Sequence, residues 1–215
     1  MCPYELAMTR NDAAARDLYQ SQGPEWLMER APAAYTEALL ATILRHIHGT
    51  RILDVCCGYG RLALPLLQRG FQVTGIDITA GLLEKGRELL RAAGIPREPF
   101  VLGNMKHLPL GDERFDFAFC VWASFNFMTT EFEQQQALRE MHRVLKRGGR
   151  ALIECPLHED AGPVQTVQVG RVVYDYYPLT VAEMRSLGTG SPFEGSDVFV
   201  EVVAERRRMV AVLRK

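Results

Sequence analysis

The sequence predicts an α/β fold on a mostly parallel sheet. Three observations predict it. Short apolar, β-branched runs alternate with amphipathic helical stretches, a glycine turn joins the first run to a helix, and the chain is 215 residues long with 47% hydrophobic and 24% charged residues. That length suits one domain with a substantial core, and the composition is ordinary for a soluble globular protein. The formal net charge of −1 gives no attraction for nucleic acid, so a polyanionic partner is not expected.

In chain order, residues 12–20, 25–30 and 32–46 read as helices, the last with Leu40, Ile43, Leu44 and Ile47 on one stripe. Ile52 to Val55 is the first strand and Arg61 to Gln68 carries helix formers, so Gly58 and Gly60 fall where a parallel strand enters its crossover helix. Phe71 to Asp77 is the second strand. Ala80 to Ala93 is a helix with Leu82, Leu83, Leu89 and Leu90 on its buried stripe, and Gly94 ends it. Pro99 to Leu102 is the third strand; Phe115 to Val121, the fourth, is apolar enough to be buried on both faces. A helix over 130–145 ends in the basic and glycine stop Lys146-Arg147-Gly148-Gly149, and Arg150 to Cys155 is the fifth strand.

Beyond that core, Val164 to Tyr177 carries strand formers and the cluster Tyr174-Asp175-Tyr176-Tyr177, read either as an antiparallel flap bordering a ligand pocket or as a dimer contact. A short helix follows over 180–187, and 188–196 reads as a flexible linker. Two final strands, 198–204 and 208–213, are joined at 205–207 and form the reversed end of the sheet. Segment 1–50 is expected to be a helical lid, 51–215 the α/β domain, and 156–180 an acceptor-site flap, all within a single domain. Oligomeric state stays open between monomer and homodimer.

The five cysteines, Cys2, Cys56, Cys57, Cys120 and Cys155, form an odd set without a C-x-x-C pair. They read as reduced, buried residues of a cytoplasmic protein. Met1 to Arg30 is too polar for a signal peptide, and no run is long enough to span a membrane.

Chemistry concentrates at the glycine turn. Gly58-x-Gly60-x-x-Ala63 alone satisfies a dinucleotide fingerprint. Asp54 separates the readings, because a carboxylate at the end of the first strand repels a diphosphate and attracts an amino group. With Asp54 ahead of Gly58 and Gly60, the segment resembles the first motif of the class I S-adenosylmethionine-dependent methyltransferases, an acidic residue followed by glycines at alternating positions. Cys56 stands where that family most often has glycine. The resemblance implies a Rossmann-like fold, a seven-stranded mostly parallel sheet with an antiparallel last strand and helices on both faces. It also implies S-adenosyl-L-methionine as cofactor and S-adenosyl-L-homocysteine as product.

Asp77 lies roughly 20 residues beyond the turn, the spacing at which an acid accepts from ribose hydroxyls. It also suits a turn or N-cap role beside Thr79. Ile78 follows it on the expected cofactor surface. The stretch from Gly103 to Leu110, then Arg114-Phe115-Asp116-Phe117, resembles the family segment in which an acid precedes a Leu-Pro pair and a Phe-Asp pair opens the fourth strand. Asn104 replaces the usual aspartate. By that resemblance Asn104 accepts from the adenine amino group and Met105 lies against the ring, the alternatives being a turn former and plain core. Lys146-Arg147-Gly148-Gly149 resembles the Lys-Pro-Gly-Gly signature, and these matches together cover about half of the chain, 51–155.

If the cofactor is S-adenosylmethionine, the reaction is an in-line displacement at a sulfonium, which needs proximity, alignment and a dry cavity. No nucleophile pair or metal-ligand spacing is visible. His158, just past the fifth strand, is the candidate general base, with a solvated loop histidine as the alternative. Val121, Trp122, Phe125 and Asn126 follow the fourth strand and suit the cofactor edge and an apolar or aromatic acceptor, although Phe125 also fits simple packing. Tyr19 and Trp26 on the lid are placed near the methionyl group or acceptor, or else in the core. The expected partner is a small-molecule acceptor. A nicotinamide oxidoreductase and a catalytically silent cofactor-binding protein are the other readings.

Overall fold

A computed structural model describes residues 8–215. Two helices, α1 (Arg10–Arg30) and α2 (Ala33–His46), precede β1 (Arg51–Val55), α3 (Ala63–Gln68), β2 (Gln72–Asp77), α4 (Ala80–Ala92), β3 (Phe100–Leu102) and β4 (Phe115–Cys120). After a short 3-10 turn at Ser124–Phe127 come α5 (Glu131–Val144), β5 (Leu145–Pro156), the hairpin β6 (Gln165–Val169) and β7 (Val172–Tyr176), α6 (Val181–Gly190), β8 (Gly195–Val203) and β9 (Arg206–Arg214).

Seven strands form one sheet in the order β3-β2-β1-β4-β5-β9-β8, and the hairpin stands apart as a two-stranded sheet. Strands β1 to β5 pair in parallel, whereas β9 runs antiparallel to both β5 and β8. The expected seven-stranded sheet with a reversed last strand is therefore present. Order reverses beside β1, since β2 and β4 leave it on opposite sides, and ligands of open α/β sheets gather at the carboxyl end of such a switch.

The strands are apolar on both faces because helices cover both. On β1, Leu53 and Val55 join Ala118, Cys120, Ala151 and Ile153 in a core with Met141 of α5 and Met184 of α6. Ile52 points the other way and joins Phe117, Phe119 and Leu152 against Tyr35, Leu39 and Ile43 of α2. Cys57, Cys120 and Cys155 are buried free thiols and Cys56 is half-buried; Cys2 lies outside the described residues. No helix among the described residues is long and apolar enough to cross a membrane.

Several boundaries differ from expectation for local reasons. The first two expected helices are the halves of α1, broken where Gly23 takes φ 79° ahead of Pro24. The crossover helix begins at Ala63 rather than Arg61, because Gly60 is still left-handed at φ 76°. Strand β5 starts five residues early: Leu145 pairs with Phe115 through a bulge, so Lys146 to Gly149 is strand and not a helix stop. The expected linker 188–196 is mostly ordered structure, α6 running to Gly190 and β8 starting at Gly195. A Cβ on Gly188 would meet Ser196 Oγ at 2.7 Å, so the glycine serves close packing of helix on strand. The last hairpin turns on Ala204 and Glu205, both at positive φ, instead of 205–207.

Candidate functional site

At the carboxyl ends of β1, β2 and β4 lies a cavity of about 880 Å³, its open mouth included. Helix α1 covers it, with Asp12, Ala15 and Tyr19, three and four residues apart on one helical face, all lining the space. The helix is anchored there by Asn11, whose Nδ2 donates to the carbonyls of Phe127 and Asp175 while its Oδ1 accepts from Asp175 N–H at 2.7 Å.

The floor is the glycine turn. Cys56, at φ 61°, adopts the left-handed backbone that glycine would give there, and its thiol lies 3.7 Å from Met105 Sδ. Gly58, also left-handed, donates its N–H to Asp77 Oδ2 at 2.8 Å. Thr79 N–H donates to Asp77 Oδ1 at 2.8 Å, so Asp77 shapes the turn into α4 while lining the cavity. Burial raises its pKa and these N–H groups pull it back only in part.

Asp54 is 2% exposed, and its Oδ2 has no hydrogen-bond partner among the described residues. Burial pushes its pKa well above the usual carboxylate range, Arg61 opposes that, and Asp77 adds to it. Arg61 is the only cation among the described lining residues. Its Nη1 donates to Thr36 Oγ1 at 2.9 Å and its guanidinium sits 5.0 Å from the Trp122 ring centre, while burial lowers its pKa. One carboxyl without a partner and one guanidinium beside a glycine turn are the elements needed to grip an amino acid's ammonium and carboxylate.

Next to the third strand, Asn104 is engaged at both ends of its amide. Its Oδ1 accepts from Lys106 N–H at 2.9 Å and its Nδ2 donates to Asp12 Oδ2 at 3.1 Å. Lys106, 2% exposed, lies 2.7 Å from both Asp12 and Glu133. The expected turn role of Asn104 is thus realised, and Met105 lines the cavity while packing into the core.

The β4 end supplies the opposite wall. Trp122 and Ala123 both take positive φ, at 61° and 68°, a strained pair that turns the Trp122 ring onto the cavity. Trp122 N–H donates to Glu154 Oε2 at 2.7 Å, and Glu154, fully buried, also pairs with Arg208 Nε and accepts from Tyr35 Oη at 3.1 Å. Phe127 lines the cavity and stacks on Tyr174 of the hairpin at 5.1 Å. Tyr19, half-buried against Phe127 and Trp26, has its hydroxyl pKa raised by desolvation and then by the charge of Asp77.

Of the residues singled out from sequence, Asp54, Cys56, Gly58, Asp77, Ile78, Asn104, Met105, Val121, Tyr19 and Trp122 converge on this one cavity. Five do not line it. Gly60 packs against β3, where a Cβ would strike the Phe100 ring at 2.4 Å. Phe125 is fully buried in the core beside α5. Asn126 uses its Nδ2 on the Tyr177 carbonyl at 2.7 Å, and Trp26 carries the Arg30 guanidinium 3.9 Å over its ring. His158 sits 3.1 Å from Tyr176 Oη, its pKa lowered by burial and by Arg208. Sequence reasoning missed Asp12 and Arg61. Arg61 directly follows the glycine pair and could have been read as a cation on the ligand side; Asp12 carried only a Thr-x-x-Asp helix-start signal. Among the described residues no group of three or more His, Cys, Asp or Glu could hold a metal.

Residues 52–149 match the family model described as "Methyltransferase domain". The chain is 38% identical over 136 residues to a demethylmenaquinone methyltransferase of Clavibacter sepedonicus, covering 63% of this chain and 51% of that one. It is 34% identical over 111 residues to the enzyme of the same name from Listeria welshimeri, covering 50% and 45%. The chain thus spans about half the length of the curated relatives it matches. In fold it is similar to Burkholderia thailandensis 1,6-didemethyltoxoflavin-N1-methyltransferase, solved with 1,6-didemethyltoxoflavin and S-adenosylhomocysteine, at TM-score 0.72 and 22% identity, covering 100% of this chain and 91% of that one. The CcbJ methyltransferase of Streptomyces caelestis aligns at TM-score 0.69 and 19% identity, covering 91% and 95%.

Proposed function

We propose that this chain, residues 52–149 of which match the methyltransferase-domain family model, is an enzyme that moves the methyl group of S-adenosylmethionine to a small organic acceptor. The observation that carries this reading is the Asp54 carboxyl, buried without a partner for Oδ2 beside the cavity's one guanidinium, Arg61. Those residues fit the cofactor: Asp54 takes the ammonium of the methionyl tail and Arg61 its carboxylate. A dinucleotide would meet this carboxyl with a diphosphate, which disfavours the nicotinamide reading.

Asp77 keeps a lone pair on each oxygen beyond the two it gives to N–H groups, and these take the ribose hydroxyls. Ile78 and Met105 flank the base. When bound, the cofactor supplies a methyl group already activated on a positively charged sulfur. The chain's work is then to align and to exclude water: α1 closes the cavity, and Trp122, Tyr19 and Phe127 present aromatic surface suited to a soft cation. The acceptor lies toward Trp122, Ser124 and Phe127, bordered by the hairpin through Tyr174. Few polar groups and much ring surface there suit an apolar or aromatic acceptor. The curated relatives named above are demethylmenaquinone methyltransferases, which supports a small-molecule acceptor. In this arrangement His158 is held by Tyr176, and catalysis rests on positioning. A soluble, cytoplasmic protein that binds neither nucleic acid nor membrane is consistent with the neutral composition.

Calorimetry with S-adenosylhomocysteine and with NAD tests the reading. Binding of the former and not the latter is expected; binding of NAD alone overturns it. Tight cofactor binding without methyl transfer to a broad panel of quinols, phenols and heteroaromatic amines would instead favour a silent binding protein.

A further inference from the structure

Asn104 stands where the resemblance puts an acid for the adenine amino group, yet the structure spends both ends of its amide on protein. The nearest carboxylate on that side of the cavity belongs to Asp12, from the covering helix. Three donors converge on one of its oxygens: Thr9 N–H at 2.9 Å, Asn104 Nδ2 at 3.1 Å and Lys106 Nζ at 2.7 Å all reach Oδ2. Oδ1 has no hydrogen-bond partner among the described residues, and Asp12 lines the cavity. The Asp12 carboxylate thus lines the cavity with one oxygen pinned and the other without a partner among the described residues.

We propose that Asp12 is the residue that selects adenine, its Oδ1 accepting a hydrogen from the exocyclic amino group, with Asn104 only one of three groups that hold the other carboxylate oxygen. This rests on the methyltransferase reading above. The acid of the third-strand turn is replaced by one carried on α1, so base recognition and closure of the cavity fall to the same helix. The pinned geometry has a sharp consequence. In Asp12→Asn the three donors demand the amide oxygen at the Oδ2 position, which turns the NH2 group toward the ligand. A donor would then face the adenine amino group, and would suit the carbonyl oxygen of hypoxanthine instead.

The experiment measures dissociation constants of S-adenosylhomocysteine and S-inosylhomocysteine for the wild type, Asp12→Asn and Asn104→Ala. Wild type is expected to prefer the adenosyl ligand by about 10- to 100-fold, the range for a hydrogen bond to a charged group. Asp12→Asn should lose that preference or invert it, and Asn104→Ala should keep it to within about threefold, since Thr9 and Lys106 still pin the carboxylate. A loss of lid packing alone weakens both ligands alike, so an unchanged ratio in Asp12→Asn overturns the proposal. So does a lost preference in Asn104→Ala, or equal affinities in the wild type. If Asp12→Asn does not fold, Asp12→Ala decides by the same ratio, and a preference retained in full overturns the proposal. A wild type that binds neither ligand overturns the methyltransferase reading itself.

Discussion

The Gly58 N–H donates to Asp77 Oδ2 at 2.8 Å, which makes the glycine turn and the end of β2 one hydrogen-bonded unit. Asp77→Ala therefore removes the group assigned to the ribose and also frees the turn that carries the methionyl site. Affinity for S-adenosylhomocysteine should fall by about 1 to 3 kcal/mol, read by calorimetry. Unchanged affinity would take Asp77 out of the site.

Arg61 and Asp54 are assigned to the amino acid tail alone, which separates them from the base and ribose groups. Arg61→Ala should weaken S-adenosylhomocysteine about 10- to 100-fold and leave 5′-methylthioadenosine, which lacks the tail, nearly unaffected. Equal losses for both ligands would show that Arg61 acts by packing on Trp122 and Tyr35 instead.

Glu154 is buried with Arg208 and also receives Tyr35 Oη and Trp122 N–H. Truncating it leaves a guanidinium with no counter-charge in a closed interior. Glu154→Ala is expected to cost about 3 to 5 kcal/mol of stability, measured as a lowered midpoint in urea. A loss below about 1 kcal/mol would mean that water reaches Arg208.

Acid stability should report Asp116. Burial pushes its carboxyl up, but the Lys146 ammonium and the N–H groups of Arg51 and Thr50 outweigh that and hold it at about 2. Because the folded value lies below the unfolded one, this contribution is complete above about pH 4 and fades as pH falls toward 2. Asp116→Asn should flatten that limb of a stability-against-pH curve; a superimposable curve would contradict the assignment.

The sheet was readable from sequence because both faces of each central strand are covered, so the strands appear as unbroken apolar runs such as Phe117 to Cys120. What escaped depends on contacts distant in sequence. Strand β5 begins at Leu145 because Phe115 is there to pair with it, and a Lys-Arg-Gly-Gly stretch carries no sign of that partner. The cofactor-side turn was legible since its residues are adjacent in the chain. Asp12 was not, as it reaches Asn104 across 92 positions and only the closing of α1 brings them together. Phe125 and Asn126 misled for the opposite reason: they neighbour Trp122 in sequence, yet the left-handed pair at 122–123 sends them inward.

The break in α1 at Gly23, with Pro24 behind it, divides the helix into a forward arm bearing Asp12, Ala15 and Tyr19 and a rear segment bearing Leu27. An unbroken helix would have to lift as one rod. In a jointed one the two arms can move separately, and any lifting of the forward arm away from the cavity would have to part Asp12 from Lys106, whose charge Glu133 would still hold.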